Sequence, residues 1–548
     1  MTRNEMMHND PATAPVVPTA SPATLPPVLH VCSEVYPLLK TGGLADVTAA
    51  LPPALRELGC DARLLLPGFP TVWQGLSQLQ RVAEFAPCFG TDAVRLWHGQ
   101  LENGIVCYLI DSPQHYQRPG NPYANDRQQP YADNHLRFAL LGAMALHLAN
   151  GADPHWRPQV LHCHDWHAGL APAYLRAHEL EHGQRKKLTG SVMTIHNLAY
   201  QGMFERHLFG ELGLPPQFND MHGLEFYQQL SYLKAGLFYA DKISTVSPTY
   251  AREILGGEQG CGLDGLLRQR QHDLSGILNG VDPAIWHPRH DRLIAAPFDA
   301  TDLAGKRRCR LALQQSCGLA LHATPTVGPQ ALNASETGTA PPTPASAAAQ
   351  SPVGAAAPGS GPLFGVVSRL TEQKGLHLLL AGLPQIIAQG GQVVVLGTGE
   401  PGLEQAFAAA AAAHPQSVAV RIGFDESFAH QIIAGCDVVM VPSRFEPCGL
   451  TQLYGLQYGS LPLVHRVGGL ADTVADSSLE NLDDTSATGF VFTEFTQAAF
   501  DAAVRRAFAL FKRRSLWLAV QQQAMQQDVG WQRAASAYLA LYRDVAPR

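Results

Sequence analysis

The stretch Lys40-Thr41-Gly42-Gly43-Leu44-Ala45-Asp46-Val47 decides how the rest of this chain is read. Before it, residues 28–32 (VLHVC) form the continuous apolar run of a short buried strand; after it, residues 45–58 carry apolar side chains at helical spacing. The turn between strand and helix therefore holds a cation and two glycines at a helix start. Glycine lets a backbone approach a ligand closely, and the unpaired N–H groups of a helix start favour an anion. A lysine beside them suits a sugar diphosphate. Gly-Gly turns also precede helices for purely geometric reasons, so both readings stand here. The string returns as Gly468-Gly469-Leu470-Ala471-Asp472-Thr473. Two such turns in two α/β halves point to a ligand held between two domains.

Outward from that stretch, short apolar runs alternate with amphipathic ones. Strands are expected at 63–66, 105–110, 160–162, 191–195, 243–246 and 276–278, and a helix capped by Ser247-Pro248. The rhythm restarts more cleanly at 363–367, 392–396, 419–422, 438–441 and 461–464. Such alternation means parallel sheets covered by helices, built twice. Ligands of these sheets sit beyond the carboxyl ends of the strands. Residues 1–26, rich in Pro, Ala and Thr, read as a disordered tail. Residues 323–362 contain one charged residue, Glu336, and no aromatic, and read as a floppy insertion after a helix at 306–319.

A chain of 548 residues has room for two or more domains with sizeable cores. Its net charge of −7 argues against nucleic acid or an anionic membrane as partner, and not against a neutral polymer such as a glucan. The ten cysteines are scattered without a CxxC, which fits reduced thiols in a cytoplasmic enzyme. The longest apolar run, 138–149, contains His147 and is too short to span a bilayer.

Several longer strings carry chemistry. They are LKTGGLADV (39–47), HCHDWHAGLAPAYL (162–175), TIHNLAYQG (194–202), TVSPTYAREI (245–254), ILNGVD (277–282), VSRLTEQKG (367–375) and PSRFEPCGLTQLYGLQYG (442–459). Arg369 and Lys374 span a strand end and the next helix start. Two cations there oppose the helix dipole, so an anionic partner such as a diphosphate accounts for them better than solvent does. Glu446, just past a strand, is placed for a sugar hydroxyl or for developing positive charge, or else caps the following helix.

In these strings and their order the chain resembles the bacterial glycogen synthases, ADP-glucose-dependent relatives of the plant starch synthases. The resemblance spans nearly everything outside the tail and the insertion. It implies a GT-B architecture: two Rossmann-like domains across a cleft, an acceptor-side domain at 27–275, a nucleotide-sugar domain at 276–530, and a helix at 531–548 crossing back to the first. It implies glucosyl transfer from ADP-glucose to an α-1,4-glucan, with UDP-glucose as the alternative donor and no cofactor. On this resemblance Arg369 and Lys374 bind the donor phosphates, joined by Lys40, Gly42 and Gly43 from the other domain. Asn279, Cys448, Gly449, Leu450 and Thr451 complete the donor site. Glu446 holds the donor glucose, and His196 and Asp165 lie beside the reacting sugar. Tyr131, Asp133, Asn134 and Trp166 face the acceptor. Phe424 stands where the family's adenine-stacking Tyr is expected. Related transferases carry a second Glu eight positions after the first, where this chain has Tyr454, so a two-carboxylate mechanism through that pair is not expected.

Two rival classes meet the same residues. His162, His164, Asp165 and His167 crowd six positions, as in a zinc hydrolase, but in HxHxDH sites the Asp stands one place later. No Asp-x-Asp occurs, so the usual metal clamp on a nucleotide lacks its ligands and no metal is expected. A non-catalytic glucan-binding homologue would not need Lys40, His196, Arg369, Lys374 and Glu446 together. One ligand touching both halves requires closure, hinged near 274–276 and 531, so an unliganded cleft is expected to stand open with Lys40 far from Arg369.

Overall fold

The computed structural model describes residues 25–183, 187–321 and 356–547. The tail before residue 25 and residues 323–355 of the expected insertion lie outside them. Strands β1 (Val28–Val31), β2 (Ala62–Pro67), β3 (Ser77–Phe85), β4 (Val94–Gln100), β5 (Val106–Asp111), β6 (Val160–His164) and β7 (Gly190–Ile195) come first. A small antiparallel set follows, β8 (Met203–Glu205), β9 (Glu225–Phe226) and β10 (Gln229–Ser231), and then β11 (Lys242–Thr245) and β12 (Leu274–Gly276). The first large sheet has the order β12-β11-β7-β6-β1-β2-β5-β4-β3. It is parallel except where β4 pairs antiparallel with β5 and β3. The second sheet contains β13 (Leu363–Val367), β14 (Gln392–Gly397), β15 (Val418–Ile422), β16 (Val438–Val441), β17 (Leu461–His465) and β18 (Phe490–Phe492). Its order is β15-β14-β13-β16-β17-β18, parallel throughout.

The central strands are buried on both faces, as in Gln392-Val393-Val394-Val395-Leu396-Gly397, so they read as unbroken apolar runs. The edge hairpin β3–β4 was not among the expected strands. Its outer strand, Ser-Gln-Leu-Gln-Arg-Val-Ala-Glu-Phe, has no buried residue and so presents no such run. The strand expected at 276–278 is β12, two residues earlier, and Ile277 already belongs to the crossing into the second half.

Chain order reverses between β1 and β6 in the first sheet and between β13 and β16 in the second. Crevices open at such reversals, beyond the carboxyl ends of the strands. The last helix, Gln532–Val545, returns to the first sheet. Its Ala534, Ala535, Tyr538, Leu539, Tyr542 and Val545 pack with Val28, Val160, Val192 and the helix Gly43–Glu57. Each large apolar side chain buried there contributes about 1.5–3 kcal/mol.

The two halves touch directly. Thr249 donates to Asp472 through its backbone N–H (2.8 Å) and hydroxyl (2.7 Å). The Glu253 carboxylate accepts from the Gly468 N–H at 3.0 Å, and Lys40 Nζ lies 3.9 Å from Glu426. Arg369 donates to Tyr200 Oη at 3.0 Å. Contacts between the halves thus run on both sides of the cleft, from Thr249 and Glu253 and from Lys40 and Arg369.

Candidate active site

Between the two reversal points lies a cavity of about 750 Å³ with walls from both halves. The first glycine string forms part of it. Gly42 is the N-cap of the helix Gly43–Glu57, at an extended φ of −160° that any residue adopts, and an added Cβ would meet nothing within 4 Å. Local structure does not demand glycine here, so the bare backbone leaves room for something in the cavity. The second string behaves oppositely. Gly468 has φ +43°, and an added Cβ would lie 2.0 Å from the Glu446 carbonyl oxygen; at Gly469 it would lie 2.1 Å from that of Cys448. Gly468 and Gly469 do not line the cavity. The Gly468 N–H does meet an anion, but that anion is Glu253 of the first half. The expectation that both glycine turns face one ligand site is corrected: the first opens on the cavity and the second does not.

Lys40 Nζ stands on the cavity wall, 3.0 Å from Asp46. Burial pushes the Asp46 carboxyl up to about 6 against the pull of Lys40. From the second half, Arg369 follows β13 and Glu446 follows β16. Lys374 Nζ donates to Glu446 at 2.5 Å, and Ser443 Oγ donates to the same oxygen at 2.9 Å. Glu446 is thus braced by side chains and does not serve as a helix cap. Phe424, 76% exposed, presents its ring to the cavity beside Gly397 and Thr398. Asn279, Cys448, Gly449, Leu450 and Thr451 all line the wall, and the Asn279 amide oxygen is buried with no partner among the described residues. Burial pushes the Cys448 thiol up to about 12.

On the first half, Asp165 follows β6 at φ +53°, ψ −172°, a region that glycine favours. Its buried carboxylate accepts from the N–H groups of His196 (2.8 Å) and Asn197 (3.4 Å), and burial raises its carboxyl to about 7. Asp165, Trp166 and His196 all line the cavity. Tyr131, Asp133 and Asn134 do not. Asp133 is bound to Arg118 at 2.8 Å, Asn134 donates to the Tyr123 carbonyl at 2.9 Å, and the Tyr131 hydroxyl donates to the Pro119 carbonyl. These three brace the loop leading into the helix Asn134–Ala149, so their polar groups are spent within the first half. In their place stand Glu34 and Tyr123, which the sequence reading missed. Glu34 accepts from the Thr41 N–H (2.6 Å) and hydroxyl (2.5 Å) and from the Tyr123 hydroxyl, tying the glycine turn to this wall. Its signal was its place just after β1, at the reversal point; Tyr123, in an irregular loop, carried none.

The histidine-rich string does not assemble a hydrolase centre from His162, His164, Asp165 and His167. His162, His164 and His30 cluster, fully buried; His162 and His164 spend both ring nitrogens on hydrogen bonds, and His30 spends one of its two. His162 bonds Tyr542 Oη at 2.7 Å and Thr194 Oγ1 at 2.6 Å, and His164 bonds His30 and His196. The ten cysteines are all free thiols, and among the described residues no helix is long and apolar enough to cross a membrane.

Two facing α/β units, a cleft between their strand ends and a returning helix define a glycosyltransferase of GT-B architecture. The "Starch synthase catalytic domain" family model matches residues 27–269, and "Glycosyl transferases group 1" matches 351–517. A glycogen synthase of Leptothrix cholodnii is 54% identical over 523 residues, 95% of this chain and 99% of its own. One from Francisella tularensis subsp. novicida is 53% identical over 520 residues, 94% and 99% of the two chains. Among solved structures, the catalytic domain of starch synthase IV from Arabidopsis thaliana, bound to ADP and acarbose, superposes with a TM-score of 0.80 at 28% identity. That match covers 95% of this chain and 99% of the other. A sucrose-phosphate synthase from Thermosynechococcus elongatus, 16% identical with a TM-score of 0.52, shares the fold. The chain belongs to the glycogen synthase family.

Proposed function

We propose that this glucosyltransferase takes ADP-glucose as donor and extends the non-reducing 4-hydroxyl of an α-1,4-glucan, with retention at the anomeric carbon. One observation carries the reading: a single cavity joins a cation-and-glycine helix start to Arg369, the Lys374–Glu446 pair and an exposed Phe424 ring. Arg369, Lys374, Lys40 and the Gly42-Gly43 backbone surround a diphosphate and stabilise the charge that develops as ADP departs. Phe424 offers the adenine a stacking face. Glu446, Asp165 and His196 take the glucose, and Trp166 and Tyr123, with Glu34, face the acceptor. The ADP and acarbose in the Arabidopsis structure support a nucleotide and an oligosaccharide sharing such a cleft. We assign residues 27–275 to the acceptor side, 276–530 to the nucleotide side and 531–548 to the returning helix. The free thiols support a reducing, cytoplasmic setting.

Tyr454, where a second carboxylate would stand, is stacked at 3.9 Å on Trp286 and is buried. Glu446 therefore has no partner there for a double displacement. The 4-hydroxyl attacks the face from which the diphosphate departs, the bond from C1 to the phosphate oxygen breaks, and the hydroxyl proton leaves on that oxygen. Purified protein given labelled ADP-glucose and glycogen should lengthen α-1,4 chains. No incorporation, or a β-linked product, overturns the reading. A larger kcat/KM with UDP-glucose would reassign the donor.

A further inference from the structure

His196 on the cavity wall is the outer end of a row of three imidazoles crossing β1, β6 and the end of β7. His30 Nδ1 lies 3.1 Å from His164 Nε2, and His164 Nδ1 lies 3.0 Å from His196 Nε2. The inner end, His30 Nε2, is buried with no hydrogen-bond partner. Three neutral imidazoles carry three ring protons, and the two bonds between them use two. The third must sit at one end of the row. Placed at the inner end it is a buried N–H without an acceptor, the orphan that native interiors tolerate least. Placed at the outer end it meets whatever fills the cavity.

We propose that the row holds His196 as one neutral tautomer, its proton on Nδ1 and directed into the cavity as a hydrogen-bond donor, with His164 as the positioning residue that imposes it. This rests on the transferase reading above and adds to it which ring nitrogen serves the sugar or the departing phosphate. The groups around the row favour neutrality. Burial holds His30 and His196 down at about 3 and places His162 and His164 well below the ordinary imidazole value. The imidazole–carboxylate pairs of the described residues lie elsewhere, at His115, His135, His207 and His430. Asp165 accepts from the His196 backbone and not from its ring. His162, whose ring centre is 4.1 Å from that of His164, is satisfied by Tyr542 and Thr194. Glu34, Lys374 and Glu446 line the same cavity, and their hydrogen bonds run to Thr41 and Tyr123 and among Lys374, Ser443 and Glu446, not to the imidazoles of the row. His196 then has no lone pair open to the cavity, because Nδ1 bears hydrogen and Nε2 accepts from His164. It donates, and does not act as a base.

Full-length protein labelled with ¹⁵N-histidine tests this, with the His196 signals assigned by their loss in His196→Gln. The expected spectrum shows Nδ1 protonated and Nε2 bare, unchanged between about pH 6 and 9, a range around the ordinary imidazole value. His164→Phe keeps an aromatic ring but removes both nitrogens. It should leave His196 as a mixture of tautomers and lower kcat about tenfold, with KM for ADP-glucose within about twofold, as loss of one oriented hydrogen bond would. An Nε2-protonated tautomer or an imidazolium in the unmodified protein overturns the proposal, and that spectrum decides it even if His164→Phe does not fold. A single Nδ1 tautomer surviving in His164→Phe removes His164 from the role. The expected spectrum in a protein that transfers no glucose would sink the transferase reading and leave the row standing.

Discussion

At the scale of single residues, the Lys374–Glu446 contact changes what a substitution should do. A lysine reaching into a cleft packs little, and from sequence alone its removal should leave folding untouched. In the structure it neutralises a carboxylate whose side chain is only 10% exposed. Lys374→Ala should reduce kcat/KM by roughly 2–4 kcal/mol in transition-state stabilisation. It should also lower folding stability by about 1–3 kcal/mol, because Ser443 alone is left on a buried charge. Steady-state kinetics and urea unfolding measure the two separately, and wild-type kcat/KM would take Lys374 off the diphosphate. Asp165 supplies a pH signature. Unfolded, its carboxyl releases a proton near pH 4; folded, near 7. Between those values the folded state holds the extra proton, so this residue's contribution falls as pH rises through the window, by at most about 4 kcal/mol. Asp165→Asn keeps an amide oxygen for the His196 N–H and removes the titration. Its urea midpoint should therefore fall less than wild type's between pH 5 and 7.5, and parallel curves would contradict the raised carboxyl.

At the scale of elements, two nearly identical strings do different jobs, and the difference explains where sequence stops being informative. Gly42-Gly43-Leu44-Ala45-Asp46 and Gly468-Gly469-Leu470-Ala471-Asp472 both start helices, and that much was legible from spacing. What each helix start faces depends on packing between distant segments. The first opens on the cavity; the second is pressed against the backbone of Glu446 and Cys448 and capped by Glu253. Gly42→Ala should therefore leave the melting temperature nearly unchanged while raising KM for the donor. Gly469→Ala should destabilise by about 1–3 kcal/mol, since its Cβ has no room. The reverse pattern would mean that the two turns have been assigned the wrong way round. The same limit explains the acceptor wall. The strands and the motifs at their carboxyl ends were readable because apolar runs and short spacings are local. Tyr131, Asp133 and Asn134 look equally suited to a sugar, yet they turn inward on Arg118, Tyr123 and Pro119. Glu34 stands directly after β1 at the reversal point, whereas Tyr123 reaches the cavity from an irregular loop that no local pattern marks.

At the scale of the whole molecule, the described residues that flank 323–355 lie on the face opposite the cleft. Ala320 and Ala356 bond to Gln416 and Ala388, near the amino ends of β14 and β15, whereas the cavity lies at the carboxyl ends. Deleting 323–355 should leave kcat/KM for ADP-glucose unchanged, and a loss of activity in a folded deletion variant would give the segment a role. The returning helix has a different consequence, one of timing. Tyr542 bonds His162, at the heart of the first unit's histidine cluster, yet it is translated about 270 residues after β12 completes the first sheet. At roughly 5–20 residues per second the ribosome needs about 15–50 s to make that interval. Throughout it the nascent first unit displays an uncovered apolar groove, lined by Val28, Leu51, Val160 and Val192, that only the late helix fills. The chain is therefore most in need of a chaperone while its second half is still being synthesised, and catalytic competence arrives with its last helix.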